Sequence, residues 1–209
     1  MKLSANHKGE QMTETLKLED QLIAGLIEPG TKVLDLGCGD GALLAWLVAN
    51  KQVHAQGIEL SEEEIYKCVK KGITVLHSDI ESGLAGYPDG AFDYVILNES
   101  MQEVKKVDFA IAETLRVGRK VVVSFPNFAH WRSRAQLFFG GKSPVTKSLP
   151  YSWHNTPNVR FLSIADFKVF CIEMNLRVEA EKYIASGRVI SSLPNLRAHN
   201  AVFLISKKG

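Results

Sequence analysis

Ten residues, Lys32-Val33-Leu34-Asp35-Leu36-Gly37-Cys38-Gly39-Asp40-Gly41, restrict what this chain can fold into more than any other stretch. Apolar residues surround one carboxylate, glycine then recurs at every second position, and the apolar run Ala42-Leu43-Leu44-Ala45-Trp46-Leu47-Val48 follows. Glycine adopts positive φ without steric cost and lets backbone approach a bound group with no Cβ in between. Strand, glycine turn and helix in that order form the nucleotide-binding half of a doubly wound α/β sheet. A helix starting just after Gly39 is expected to offer free backbone N–H groups to a polar or negative ligand.

Glycine turns alone are weak signals, so the acidic residues that follow decide the reading. Gln56-Gly57-Ile58-Glu59-Leu60 ends the second strand, and Glu59 stands roughly 20 residues past the first glycine, where a carboxylate accepts both ribose hydroxyls. A solvated strand-end charge would look the same in isolation. Asp35 before the glycines and Asp79 after the third strand, Thr74 to Ile80, shift the balance. Asp-x-Gly-x-Gly-x-Gly, then an acid, then Ser-Asp-Ile resembles the S-adenosylmethionine site of class I methyltransferases. The resemblance implies that Asp35 and the glycines face the amino-acid part, Glu59 the ribose and Asp79 the adenine amino group. The full cofactor-binding set is then Asp35, Gly37, Cys38, Gly39, Gly41, Glu59, Leu60, Asp79, Ile80 and Asn98, with S-adenosylmethionine or S-adenosylhomocysteine as the ligand. An NAD-dependent enzyme fits less well, since Asp35 and Asp79 suit adenosylmethionine better and no separate substrate domain is present.

Composition narrows the class further. A chain of 209 residues with 45% hydrophobic residues reads as one domain, residues 13–209, after a polar and disordered N-terminus at residues 1–12. A chain of this size buries roughly 70% of its unfolded surface and needs no staples. A net charge of +2 gives no field for nucleic acid or an acidic membrane. Cys38, Cys68 and Cys171 form no CxxC or Cys/His cluster, which points to a reduced, cytoplasmic chain without a metal site. No apolar run approaches the roughly 18 residues of a membrane span.

The remaining elements follow from periodicity. Leu16, Leu22, Ile23, Leu26 and Ile27 have helical spacing from Thr13 onward, stopped by Pro29-Gly30. Ser61 and Glu64 form a capping box for a helix reaching Lys71, with Gly72 at its left-handed end. Phe92 to Leu97 and Lys120 to Phe125 read as strands four and five, with a helix from Val107 to Leu115 between them. A helix from Asp166 to Met174 has Ser163 as N-cap, and Leu176 to Tyr183 and Asn200 to Ser206 alternate as two strands joined by a long turn. Periodicity gives an α/β doubly wound sheet. The resemblance implies the Rossmann-like class I methyltransferase version: seven strands, mostly parallel, with a closing antiparallel pair. Asn98-Glu99-Ser100-Met101 lacks the Pro-Pro-aromatic run of DNA amino-methyltransferases, and no cysteine follows a proline as a 5-methylcytosine enzyme requires.

Residues 126–160 form an insertion after strand five, expected to fold as a lid over the crevice. It holds two of the three tryptophans and four of the seven prolines. Such enrichment in Trp, His, Arg and Tyr marks a binding surface more often than a plain loop. The candidate lid residues are His130, Trp131, Arg132, Arg134, Tyr151, Trp153 and Asn158; Leu137, Phe138 and Phe139 read alternatively as the packed face of a short helix. The segments from Ser124 to Arg132, Gly140 to Lys147 and Leu149 to Asn158 are similar to the methionine biosynthesis protein MetW family, departing at His154-Asn155, where Tyr-Asp is frequent. That resemblance covers Leu18 to Ser206. It implies a role in methionine synthesis, with a homoserine O-acyltransferase (homoserine O-acetyltransferase, MetX-like) as partner, and no defined methyl acceptor. An S-adenosylmethionine-dependent methyltransferase acting on a small molecule is the alternative, and His130 and Tyr151 are the catalytic candidates within the lid.

Overall fold

The computed structural model describes residues 16–80, 82 and 84–209. Residues 1–12 and the expected helix start at Thr13 lie outside the described residues. All eight strands join one sheet in the order β3-β2-β1-β4-β5-β8-β6-β7. Strands β1 (Lys32–Leu36), β2 (His54–Glu59), β3 (Thr74–His77), β4 (Phe92–Asn98) and β5 (Gly118–Pro126) run parallel. Strand β8 (Asn200–Lys207) is antiparallel between β5 and β6 (Leu176–Ala185), closing the sheet as expected.

Strand alternation divides the core into two layers. Leu34, Leu36, Val95, Leu97, Val121, Val123 and Phe125 face one side, packed under α4 (Val107–Val117) and α6 (Ile164–Glu173). Val33, Tyr94, Ile96 and Val122 face the other, under α1 (Leu18–Leu26) and α2 (Ala42–Lys51). Buried on both faces, β4 and β5 read as nearly continuous apolar runs. Asp35 alternates onto the layer of Val33, under α1 and α2, where packing alone would ask for an apolar residue.

The sheet reverses its strand order between β1 and β4, and ligands bind at such switch points, outside the carboxyl ends of the strands. Helix α3 (Glu62–Lys70) follows β2, with the Ser61 side chain capping Glu64 N–H and Gly72 at φ 75°. Helix α6 starts with a reciprocal capping box between Ser163 and Asp166.

Three expectations change. The long turn before β8 holds an eighth strand, β7 (Arg188–Ile190), paired with β6, and a short helix, α7 (Pro194–Arg197). Ser186 and Gly187, at φ 49° and 73°, make the two-residue left-handed turn that favours a hairpin. Strand β3 stops at His77, so Asp79 and Ile80 sit on a turn. In the lid, α5 (Trp131–Gly140) forms with His130 as N-cap, yet Leu137, Phe138 and Phe139 project into solvent. The packed reading of that apolar triplet is therefore wrong. Residues 141–160 contain no further helix or strand.

Candidate functional site

A cleft of about 460 Å³ opens at the switch point, lined among others by Gly37, Glu59, Leu60, Asp79, Ile80 and Asn98. Six of the ten expected cofactor residues thus meet in one place. Gly37 (φ 74°) forms part of the wall, and a Cβ there would come 3.3 Å from Ser100 Cβ. Gly39 (φ 52°) has open space where a Cβ would stand and gives its N–H to Glu59, whereas Gly41 serves the scaffold. Gly41 (φ 73°) is the N-cap of α2, and a Cβ on it would lie 2.8 Å from Cys68 Sγ. Cys38 lies away from the cleft: its Sγ is 3.8 Å from Cys68 Sγ, and burial pushes its thiol pKa up.

The turn offers fewer free amides than expected, because α2 begins at Ala42. Gly37 and Cys38 N–H donate to Ile58 O, and Ala42 N–H donates to Asp40 Oδ1. Gly39 N–H donates to Glu59 Oε2 at 2.9 Å, while Leu60 and Ser61 N–H donate to Oε1 at 2.8 and 2.9 Å. Glu59 is therefore fixed by three backbone donors, and its remaining lone pairs stay available for hydroxyl donors. Asp79 Oδ1 accepts from Ser82 N–H.

Asp35 does not line the cleft; it is buried beneath the β1 end, within electrostatic reach of Asp20 and Glu59. Its carboxyl group is buried and Oδ1 has no partner. Burial first, then the charges of Asp20 and Glu59, push its pKa up to about 8. Three further carboxylates collect around the strand ends. Asp20 accepts from Asn98 Nδ2 at 3.0 Å, and Asn200 Nδ2 donates to both Glu19 and Glu99. Burial, reinforced by Glu99, raises Glu19 to about 7. Glu99 itself takes φ 51°, a strained backbone for a residue with a side chain. None of Glu19, Asp20, Asp35, Glu59 or Glu99 forms an ion pair among the described residues. Such a concentration of carboxyl groups without ion-pair partners suits a ligand that brings a cation, on whose arrival Asp35 and Glu19 can ionise.

A larger cavity of about 1010 Å³ adjoins the cleft, sharing Glu99 and Glu103 with it. The lid residues His130, Trp131, Arg132, Tyr151 and Asn158 line it, together with Lys147, Arg197 and His199. Arg134 and Trp153 stay outside. Arg134 Nε donates to Ala129 O at 2.6 Å, and Trp153 is 76% exposed. His130 is buried and stacked 4.2 Å from His199. Its Nδ1 accepts from Arg132 N–H, so the proton sits on Nε2. Burial, His199 and Arg132 lower its pKa to about 4. His130 is thus a neutral N-cap, with its acceptor nitrogen already used.

Sequence reasoning missed Glu19, Asp20 and Glu99, and also Lys147, Arg197 and His199. Glu19 and Asp20 are indistinguishable in sequence from acids placed to suit a helix start, and the others come from the end of β4, the lid loop and the α7–β8 segment, which meet only in the folded sheet.

This sheet, its switch-point crevice and its closing antiparallel strands define a protein of the class I methyltransferase fold. The crystal structure of a SAM-dependent methyltransferase from Archaeoglobus fulgidus matches 90% of this chain and 94% of its own, with TM-score 0.66 and 14% identity. The [4+2]-cyclase SpnF matches 90% of this chain and 80% of its own, with TM-score 0.62 and 16% identity. The family model of the methionine biosynthesis protein MetW matches residues 17–205. The bifunctional methionine biosynthesis protein MetXA/MetW of Rhodopirellula baltica is 35% identical over 207 residues, covering 93% of this chain and 33% of that protein. The chain belongs to the MetW family, and it spans a third of the length of that curated relative. Among the described residues, no helix is long and apolar enough to cross a membrane.

Proposed function

We propose that this chain binds S-adenosylmethionine in the cleft and acts in methionine synthesis as the companion of a homoserine O-acyltransferase. The observation that carries the cofactor assignment is the buried, unpartnered oxygen of Asp35 within a group of carboxylates that have no cationic partner. A buried acceptor left unmade costs about 1–3 kcal/mol, so the site is built for a donor that the protein does not provide. The ammonium of the methionine part is such a donor, and the sulfonium adds a second positive charge that this field favours. In this reading Glu59, held by its three amides, takes the ribose hydroxyls, and Asp79, lining the same cleft, takes the adenine amino group. When bound, the ligand supplies an electrophilic methyl group.

Titration calorimetry tests the assignment. Adenosylmethionine should bind and NAD should not, and near neutral pH binding should release protons because Asp35 must ionise to take the ammonium. NAD binding without adenosylmethionine binding would refute it.

The partner assignment rests on the Rhodopirellula baltica relative, whose name joins MetXA and MetW activities in one chain. Helix α5 offers a surface for such a neighbour. Phe138 and Phe139 are 82% and 84% exposed, with rings 4.9 Å apart. Trp153 lies beside the end of that helix, sharing a shallow pocket with Gly141 and Val145. Exposed aromatics in one patch mark interfaces and supply most of their binding energy. Co-purification of the chain with the acyltransferase, and its loss on changing Phe138 and Phe139, tests this reading.

A second reading, a working methyltransferase for a small acceptor, is favoured by one observation: the large cavity meets the cleft at Glu99 and Glu103. The SpnF match shows that the fold alone does not decide whether methyl transfer occurs.

A further inference from the structure

The large cavity has an electrical axis. Glu99 and Glu103 line both the cavity and the cleft, so the acidic end lies at their junction. Arg132, Lys147 and Arg197 line the cavity and not the cleft. The cations come from three separate segments: Arg132 from the first turn of α5, Lys147 from the lid loop and Arg197 from the end of α7. Opposite charges gathered round one space usually neutralise each other. Here none of the five forms an ion pair among the described residues.

The local contacts keep them apart. Arg132 stacks over the Trp131 ring at 5.3 Å, and Glu99 is held by the side chain of Asn200. The His130–His199 ring pair lies beside these cations, and burial, then the charges of Arg132 and Lys147, hold His199 below its usual pKa. Away from Glu99 and Glu103, this part of the cavity gathers three cations without ion-pair partners among the described residues. Acidic and basic groups around one space, none paired with another, fit a molecule that carries both charges.

We infer that this cavity is a binding site for a free α-amino acid, with its carboxylate on Arg132, Lys147 and Arg197 and its ammonium toward Glu99 and Glu103. Guanidinium groups pair carboxylates through two parallel hydrogen bonds, which fixes orientation as well as charge. The cavity far exceeds the volume of an amino-acid head group, so the side chain has room to extend along Tyr151 and Trp131. The site requires neither methyl transfer nor adenosylmethionine, so its failure and failure of the cofactor assignment are separate results.

Three probes sharing an alkyl chain test it on the whole chain: L-norleucine, hexanoate, which lacks the ammonium, and pentylamine, which lacks the carboxylate. Binding is followed by calorimetry and by the imidazole proton signals of His130 and His199. L-norleucine should bind at millimolar concentration or better and shift both signals. Hexanoate should bind several-fold more weakly, and pentylamine should not bind. Arg132→Gln and Arg197→Gln, each on the surface and each checked for an unchanged melting temperature, should weaken norleucine at least tenfold. Lys147→Gln supplies an independent variant should either arginine change disturb folding. Equal binding of hexanoate and norleucine, absence of norleucine binding, or norleucine affinity unchanged in all three variants would overturn the inference.

Discussion

The two halves of the crevice are built by opposite rules. On the β1–β2 side, the turn is held before any ligand arrives, Glu59 by three amides and Gly37 and Cys38 by the backbone of β2, while Asp35 Oδ1 is left without a partner. On the lid side, the large side chains are exposed or stacked on one another, and residues 141–160 hold no helix or strand. The first half is acidic and rigid, the second basic and aromatic. Pre-organisation costs folding stability, as a buried carboxyl shows, and repays it on binding. The lid side leaves apolar surface exposed, as a surface that meets another molecule does.

The largest expected effect would break the acidic half. Asp35→Asn keeps the shape and removes the charge, so adenosylmethionine affinity should fall by ten- to a hundredfold or more, since charge-assisted hydrogen bonds contribute about 1.5–3 kcal/mol each. The same change should stabilise the free protein at alkaline pH. Asp35 has its folded pKa raised from 3.8 to about 8, so the unfolded chain ionises first. The stability that the neutral carboxyl permits is therefore complete below about pH 4 and is lost as pH rises toward 8. Glu19, raised to about 7, adds a slope of the same sign. Thermal melts from pH 4 to 8 should show a shallower decline in Asp35→Asn than in the parent chain. An equal or steeper decline would mean that Asp35 is already ionised and paired.

A comparable effect is expected on the lid side. Replacing Phe138 and Phe139 by Ser should weaken the acyltransferase complex by about 2–4 kcal/mol if they are interface anchors. Exposed positions carry little folding energy, so the melting temperature of the isolated chain should move by no more than about 0.5 kcal/mol of stability would imply. A collapse of the isolated fold would show instead that the aromatic pair packs within the chain.

How far the sequence announces each half follows from the same contrast. The parallel sheet with its closing antiparallel pair and the glycine turn at Gly37 are legible because local geometry dictates them, and spacing alone picks out Glu59 and Asp79, which the fold brings to one cleft. Cys38 and Gly41 fit the motif yet face α3, since sequence shows spacing and not which side of a turn a residue takes. Glu99, Arg197 and His199 are illegible because their meaning depends on β8 pairing with β5 and the β6–β7 hairpin folding beside it. The triplet Leu137–Phe139 misleads in another way: an apolar run predicts burial, and the chain alone does not say against which molecule.

A smaller effect sharpens the role of Glu59. Glu59→Gln keeps one acceptor oxygen, for Leu60 and Ser61 N–H, and loses the charge together with the acceptor of Gly39 N–H, so binding should weaken by at least about 1.5 kcal/mol, roughly tenfold. Glu59→Ala should cost more, because Gly39, Leu60 and Ser61 N–H lose their acceptor and the turn itself loosens. Equal losses from the two changes, measured by calorimetry, would mean that the carboxylate serves the ligand alone.

The smallest effect separates an aromatic cap from a catalytic base. His130 Nδ1 accepts the Arg132 amide at 3.2 Å and the ring is buried against His199, so the side chain ends α5 rather than waiting for a proton. Loss of an N-cap costs about 1 kcal/mol, whereas a change to another capping side chain costs less. His130→Ala should therefore lower stability by about that amount, and His130→Asn should recover part of it. With a pKa near 4, His130 carries no charge from pH 5 upward, so binding at the neighbouring cavity should show no inflection assignable to it between pH 5 and 8. A general base would behave differently. Asn could cap the helix yet take no proton, so a reaction lost equally in His130→Ala and His130→Asn, with stability recovered only in the second, would make His130 a catalytic residue after all.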